Sequence, residues 1–511
     1  MTSAAEQSRQ SAQLKLDSAR SIDYRRRLGQ FATPFDFASE LASYGVSLVH
    51  EDNIRFLEPA VGTGAFYSAL LATAGAKTVE NAVGLEIDQE VARAAESIWG
   101  DTLRIMNEDF TDTTPMQLRA NLLISNPPYV RHHYIDAGKK SILQKKIKQS
   151  LGINLSGLAG LYCYFILLAH EWLADGAISG WLIPSEFMDV NYGAAVKEYL
   201  LNHVKLLRIH RYDPRAVKFD DALVSSAVVW FSKETTPEDY EVEFSFGGTL
   251  DAPALSKSVR RSDLKREKKW TRFPELEVRS DDSKHAKVKD SFIIKRGIAT
   301  GDNNFFILNK PQIEKYGLKY DYLTPVLPSP RYLDTTEVFA DTDGNPLIES
   351  PLFLVNCDLP EHRIKELYPE LYAYLATGVG TVSERYLCKS KKFWYQQEQR
   401  EPAPILCTYM GRGTKDSELP FRFILNHSKA LVTNSYLMLY PRESAPELCG
   451  DKSSPIKTVW HELNRLSPDA LISEGRVYGG GLRKIEPKEL GEVICSFAFG
   501  RTQPQLFQGA G

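Results

Sequence analysis

The chain has little cysteine, almost no charge imbalance and no long apolar run. Six cysteines occur in 511 residues: Cys163, Cys357, Cys388, Cys407, Cys449 and Cys495. None forms a Cys-x-x-Cys pair and no histidine cluster accompanies them, so a zinc site is not expected, nor is any other metal. Scattered single cysteines fit a reducing compartment. No stretch of about 18 apolar residues is present, so no membrane span is expected. The first 27 residues are polar without an apolar centre and do not read as a secretory signal. Together these absences point to a cytoplasmic protein. Lys and Arg number 62 and Asp and Glu 65, a formal net charge of −3. That balance argues against a purely electrostatic, non-specific nucleic-acid binder. A local positive cleft needs no overall positive charge.

Against that background, Asn126-Pro127-Pro128-Tyr129 is the most informative string. It follows Leu122-Leu123-Ile124, which reads as a short buried strand. The prolines fix φ and remove donors, leaving local carbonyls free to accept. Asn126 adds a side-chain carbonyl and Tyr129 a flat ring. Such a corner suits a planar substrate bearing an amino group. The amine donates to the Asn126 side chain and the Pro127 carbonyl while the ring stacks on Tyr129. Those bonds draw the nitrogen lone pair out of conjugation and make it nucleophilic. Asn-Pro and Pro-Pro also build ordinary turns, so the string gains its weight from its company.

That company lies upstream. Residues 54–57 read as a strand running into Glu58-Pro59-Ala60-Val61-Gly62-Thr63-Gly64, with a helix from Ala65 to about Ala74. Gly62 and Gly64 permit a ligand to approach bare backbone at a helix N-terminus. A second strand, 82–85, ends in Glu86-Ile87-Asp88. An acid about 20 residues past a Gly turn suits ribose hydroxyls. A third strand-like run, 103–106, ends in Glu108-Asp109-Phe110, an acid beside an aromatic.

These sites, in this order, resemble the S-adenosylmethionine (SAM)-dependent amino-group DNA methyltransferases. The resemblance is to the gamma-ordered adenine methylases of restriction–modification systems, the Asn-Pro-Pro-Tyr family of Eco57I- and TaqI-like enzymes. It implies a Rossmann-like α/β catalytic domain and a C-terminal mixed α+β target-recognition domain. It implies that Gln30 and Thr33, within Gly29-Gln30-Phe31-Ala32-Thr33-Pro34, contact the methionine end of SAM. Glu58, Pro59, Ala60, Gly62 and Gly64 match the cofactor loop, with Glu58, Val61 and Thr63 as variants of the usual Asp, Cys and Ser. Glu86, followed by Ile87, matches the ribose ligand. Asp109 matches the residue that holds the cofactor's adenine amine, with Phe110 packing on that adenine. Asn126, Pro127, Pro128 and Tyr129 match the catalytic corner. Phe219, ahead of Val224 to Phe231, resembles the aromatic that stacks on the other face of a flipped base.

The pattern along the chain gives four segments: a charged helical arm (1–27), a catalytic domain (28–245), a linker (246–284) and a recognition domain (285–511). Two or three domains suit this length. Arm and basic segments such as Lys145-Lys146-Ile147-Lys148 read equally as DNA-phosphate contacts or solvated surface. The segment around that string is expected to be mobile. Leu161, Phe165, Leu168 and Trp172 recur at helical spacing and read as core. Candidate phosphate contacts in the second half are Lys295, Arg296, Arg412, Arg483 and Lys484.

The expected activity is methyl transfer from SAM to N6 of a flipped adenine at a specific site in duplex DNA. The expected partners are double-stranded DNA and a separately encoded restriction endonuclease, with a monomeric enzyme. Alternatives are methylation of cytosine N4, of RNA or of a protein amide, and a non-catalytic DNA-binding specificity subunit. An absent Pro-Cys pair argues against carbon-5 cytosine chemistry.

Overall fold

Strands at 53–58 and 120–125 lie side by side in a nine-stranded sheet in the computed structural model of the protein. The described residues are 3–21, 24–25, 29–115, 119–213, 226–235, 237–274, 286–411, 421–443, 445, 453–478 and 482–495. The chain divides into two compact units, residues 1–279 with 478–480 and residues 280–477 with 481–511.

In the first unit the elements run α1 (Ala4–Ser18), α2 (Phe35–Leu48), β1 (Asn53–Glu58), α3 (Ala65–Thr73), β2 (Thr78–Leu85), α4 (Gln89–Trp99), β3 (Arg104–Met106) and β4 (Ala120–Ser125). There follow α5 (Ala137–Leu151), α6 (Leu161–Leu168), β5 (Leu173–Pro184), α7 (Ala194–Asn202), β6 (Lys205–Arg211), β7 (Ser226–Ser232), β8 (Glu241–Gly248), β9 (Pro253–Arg260) and α8 (Arg261–Arg266). The sheet order is β3-β2-β1-β4-β5-β7-β6-β8-β9. β1 pairs in parallel with both β2 and β4, and β4 with β5. β7 runs antiparallel between β5 and β6. This is the α/β architecture that the sequence pattern implied. The order reverses between β1 and β4, which is where doubly wound sheets bind ligands at their carboxyl ends.

All six residues of β4 are buried, as expected of a parallel strand covered on both faces. Leu122, Leu123 and Ile124 each contribute about 1.5–3 kcal/mol through this burial. Phe165, Leu168 and Trp172 join Leu123 in one core cluster, as their spacing predicted, while Leu122 and Ile124 belong to a second. α4 starts where the Asp88 carboxylate accepts from the Glu90 and Val91 amides.

The linker expected over 246–284 is not one in its described part. β8 and β9 extend the sheet beyond β6, and Val242, Phe244, Val259, Leu264, Trp270 and Phe273 are buried in its core. Arg261, in the basic stretch, is buried and donates to the Leu201 carbonyl at 2.8 and 2.6 Å. The segment expected to be mobile is helix α5, capped by Asp136 and anchored by buried Leu143, Ile147 and Leu151. The N-terminal arm is α1, and it packs on the first unit through buried Glu6 and Arg9.

Among the described residues the second unit contains a five-stranded sheet and two three-stranded sheets. The first has the order β10 (Phe292–Arg296), β18 (Tyr436–Pro441), β15 (Ile405–Thr408), β17 (Phe423–Asn426), β13 (Glu337–Val338). The others are β11 (Ile307–Asn309), β14 (Leu352–Val355), β12 (Leu323–Val326), and β16 (Met410–Gly411), β20 (Leu482–Lys484), β19 (Arg476–Tyr478).

Candidate active site

β1 delivers Glu58 to the carboxyl edge of the sheet, and the chain then turns through Pro59 to Gly64 into α3. Gly62 has φ 55° and Gly64 φ 87°, both in the left-handed region open to glycine. At Gly64 a Cβ would lie 2.4 Å from Trp99 Nε1, so the indole occupies the space that glycine leaves. Trp99 uses that approach to donate to the Thr63 carbonyl at 2.9 Å. At Gly62 nothing lies within 4 Å of where a Cβ would be, so the loop there faces open space.

The loop is tied down from two further sides. The Gly62 amide donates to Glu86 Oε2 at 3.0 Å, and the Asp88 amide to Glu86 Oε1 at 2.9 Å. From α1, Arg9 donates to Thr63 Oγ1 at 3.2 Å, and Thr63 donates to Gln13 at 2.9 Å. Arg9 is held by two bonds of 2.7 Å to Glu6. Arg9 and Gln13 were not singled out in the sequence, although Glu6, Arg9 and Gln13 fall on one helix face at i, i+3 and i+7.

Burial pushes the Glu58 carboxyl well above its ordinary value, and nearby Glu86 adds to this against the opposing Arg9 charge. Its Oε2 has no hydrogen-bond partner among the described residues. Burial also raises the Glu86 carboxyl. Ile87, next in the chain, is 66% exposed, an apolar surface beside the acid that suits a flat ring. Gln30 bridges Arg20 and Asp88 at 3.2 and 3.3 Å.

Asp109 accepts from the Thr111 amide and hydroxyl through Oδ1, at 2.9 and 2.7 Å. Its Oδ2 pairs with Lys139 of α5 at 2.5 Å. Burial raises the Asp109 carboxyl, but the bonds from Lys139 and Thr111 outweigh it and hold the group below its ordinary value. The Phe110 ring differs from expectation. It is buried in the core, with its centroid 5.0 Å from Phe165 and 5.5 Å from Trp172.

The Asn126 to Tyr129 corner leaves β4 beside this loop. Asn126 Nδ2 donates to the Phe31 carbonyl and to Thr33 Oγ1, both at 3.2 Å. Both amide protons are thereby directed to acceptors, which fixes the amide orientation and leaves Oδ1 as an acceptor. Among the described residues no hydrogen bond ends on the Pro127 carbonyl. Tyr129 donates to the Leu182 carbonyl at 3.1 Å, and the Phe31 ring lies 6.2 Å away, tilted by 36°. The 29–33 segment reaches the corner through Gly29, at φ 68°, where a Cβ would sit 2.5 Å from the Tyr129 nitrogen. Phe219 lies outside the described residues. So does Arg412. Among the described residues no group of three His, Cys, Asp or Glu could hold a metal, and no helix is long and apolar enough to cross a membrane.

Two family profiles match the chain. One, described as the Eco57I restriction-modification methylase, covers residues 80–217. The other, described as the C-terminal domain of Type II methyltransferase M.Eco57I, covers residues 274–507. The chain is 26% identical to Type II methyltransferase M.AccI of Acinetobacter calcoaceticus, over 92% of this chain and 85% of that one. It is 28% identical to Type II methyltransferase M.XamI of Xanthomonas campestris pv. amaranthicola, over 85% of this chain and 79% of that one. The fold is similar to that of the Type IIL restriction-modification enzyme MmeI, solved in complex with DNA, with a TM-score of 0.51 and 13% identity. That match covers 84% of this chain and 65% of the MmeI chain.

Proposed function

We propose, from the premise that this chain belongs to the Eco57I-type restriction–modification methylase family, that it methylates N6 of adenine at a specific site in duplex DNA. Family membership makes it a SAM-dependent Type II DNA methyltransferase. The finer reading rests chiefly on one observation. The Asn126 amide spends both donors on Phe31 and Thr33, so its oxygen and the Pro127 carbonyl are two acceptors for one amine.

The residues present fit the cofactor. Open space faces the backbone at Gly62, Ile87 is exposed beside Glu86, and Glu58 Oε2 lacks a partner. Gln30, Thr33, Glu58, Pro59, Ala60, Gly62, Gly64, Glu86, Ile87 and Asp109 are the residues that would hold it, with Asn126 at its methyl end. Phe110, buried behind Asp109, would support that wall from the core. When bound, SAM supplies an activated methyl group on a sulfonium centre.

The chain's own residues supply the remainder. A target base is extruded from the duplex before it reaches such a corner. Tyr129 provides a stacking face, held by its hydroxyl bond to Leu182, and Phe219 is assigned the opposite face. Asn126 and Pro127 accept the two amine protons and hold the nitrogen lone pair toward the methyl donor. Pro128 keeps the backbone rigid. Fixing both reactants in attack geometry accounts for much of the rate. A separately encoded endonuclease of the same specificity is the proposed partner, with a monomeric cytoplasmic enzyme and recognition by residues 285–511. The test is nucleoside analysis of duplex DNA after reaction with purified protein and SAM. N6-methyladenine is expected; methyl on cytosine N4, or on no base, contradicts the assignment.

A further inference from the structure

We infer that Arg296, laid on the ring of Tyr409 beside Lys484, contacts a DNA backbone phosphate from the second unit. This rests on the DNA-methylating reading above and goes beyond it by naming a contact. Three residues far apart in sequence meet here. The Arg296 guanidinium lies 4.0 Å from the Tyr409 ring centroid, and Lys484 Nζ lies 5.0 Å from the same centroid. Arg296 is exposed and ends β10, while Lys484 ends β20.

The guanidinium is held but not consumed. Its Nε donates to the Asn434 carbonyl at 3.2 Å. The ring below and this one bond fix the plane of the fork, while its other N–H groups remain for a ligand. Among the described residues no carboxylate is in ion-pair contact with it. Glu486 is committed elsewhere: it pairs with Lys484 at 2.8 Å, accepts from the Tyr409 hydroxyl at 2.6 Å and acts on Arg296 only through space. The acid is bonded to the lysine and to the tyrosine hydroxyl, and among the described residues it makes no direct ion pair with the arginine. The backbone beneath is rigid. At Gly297 a Cβ would lie 2.1 Å from the Thr433 carbonyl oxygen, so the strand end packs directly on its neighbour.

An exposed arginine that is oriented in advance, on a rigid strand end and with no ion-paired carboxylate among the described residues, matches the geometry of a phosphate. The planar fork engages two phosphate oxygens at once, and its orientation lowers the entropy lost on binding. Phosphate contacts set register on the duplex without reading sequence.

The test is Arg296→Gln in the full-length protein, with Arg296→Lys as the charge-preserving control. Binding is measured by fluorescence anisotropy across a salt series, on a labelled duplex carrying the mapped methylation site and on a mixed-sequence duplex. Arg296→Gln is expected to weaken binding to both duplexes by about ten-fold, and to lower the slope of log affinity against log salt by about one. Arg296→Lys should restore the slope but only part of the affinity. SAM affinity should stay at the wild-type value in both. Unchanged duplex affinity and salt slope in Arg296→Gln overturns the inference. A loss confined to the site-bearing duplex also overturns it, because that pattern belongs to a base-edge contact. Wild-type protein that methylates no DNA refutes the underlying function instead, so the two failures are distinct.

Discussion

At the scale of single residues, the site was legible where chemistry restricts the side-chain type. Asn126, the two prolines and Tyr129 are read directly because an amine substrate needs acceptors, rigidity and a flat ring. Glu86 is read from its place after a Gly turn. Lys139 on Asp109 was not readable, because 30 residues separate the partners and only the tertiary fold joins them. The contacts of Phe110 with Phe165 and Trp172 were not readable for the same reason, since more than 50 residues separate the rings. Glu58 yields a prediction. Its folded-state pKa lies above its ordinary 4.5, so the stability linked to its protonated form is fully present below that value. It is lost as pH rises through the raised folded value. Glu58→Gln should therefore match wild type in stability near pH 4.5. It should exceed wild type by about 1–2 kcal/mol at pH 8, where the buried charge is costly, and bind SAM more weakly. Thermal unfolding of both proteins across this range checks it; a stability difference independent of pH contradicts it.

At the scale of elements, the charged arm α1 proves to be a brace for the cofactor loop. Breaking its buried Arg9–Glu6 pair by Arg9→Met should cost about 3–5 kcal/mol, since a buried charge is left alone. It should also weaken SAM binding by releasing Thr63. Adding Glu6→Leu removes the stranded charge, so the double variant should regain stability without regaining SAM affinity. Denaturant unfolding and calorimetry separate the two effects. Recovery of both properties together would show that α1 supports the fold alone. The misplaced boundary at 245 has a clear cause. β8 alternates Val242, Phe244 and Phe246, a half-buried strand pattern, but β9 reads Ser256, Lys257 and Ser258 across an exposed edge. An edge strand facing water carries little apolar signal, so composition alone assigned it to a linker.

At the scale of the molecule, the α/β class of the first unit was legible because strands and helices alternate with ligand-bearing strand ends. The second unit was not, since its sheets pair strands distant in sequence, such as β10 with β18. The corrected boundary alters what a fragment should do. A fragment of residues 1–279 keeps the nine-stranded sheet whole and should fold and bind SAM, but lose site-specific duplex binding. A fragment ending at residue 240 removes β8 and β9, uncovers the β6 edge with its buried Leu206 and Ile209, and should aggregate. Circular dichroism, SAM calorimetry and duplex binding on both fragments check this. Methylation of the full-length protein's own single site by residues 1–279 would contradict the division of labour.

Asn126 is assigned to the target amine, with little contribution to the fold or to cofactor affinity. This assignment is tested most directly by Asn126→Ala, with SAM affinity measured by calorimetry and methylated adenine measured on duplex DNA from the same preparation. SAM binding is expected within a few fold of wild type, with methyl transfer lost by about 10³-fold or more, the scale of removing a positioned acceptor and its geometry. Turnover near the wild-type rate in this variant would contradict it.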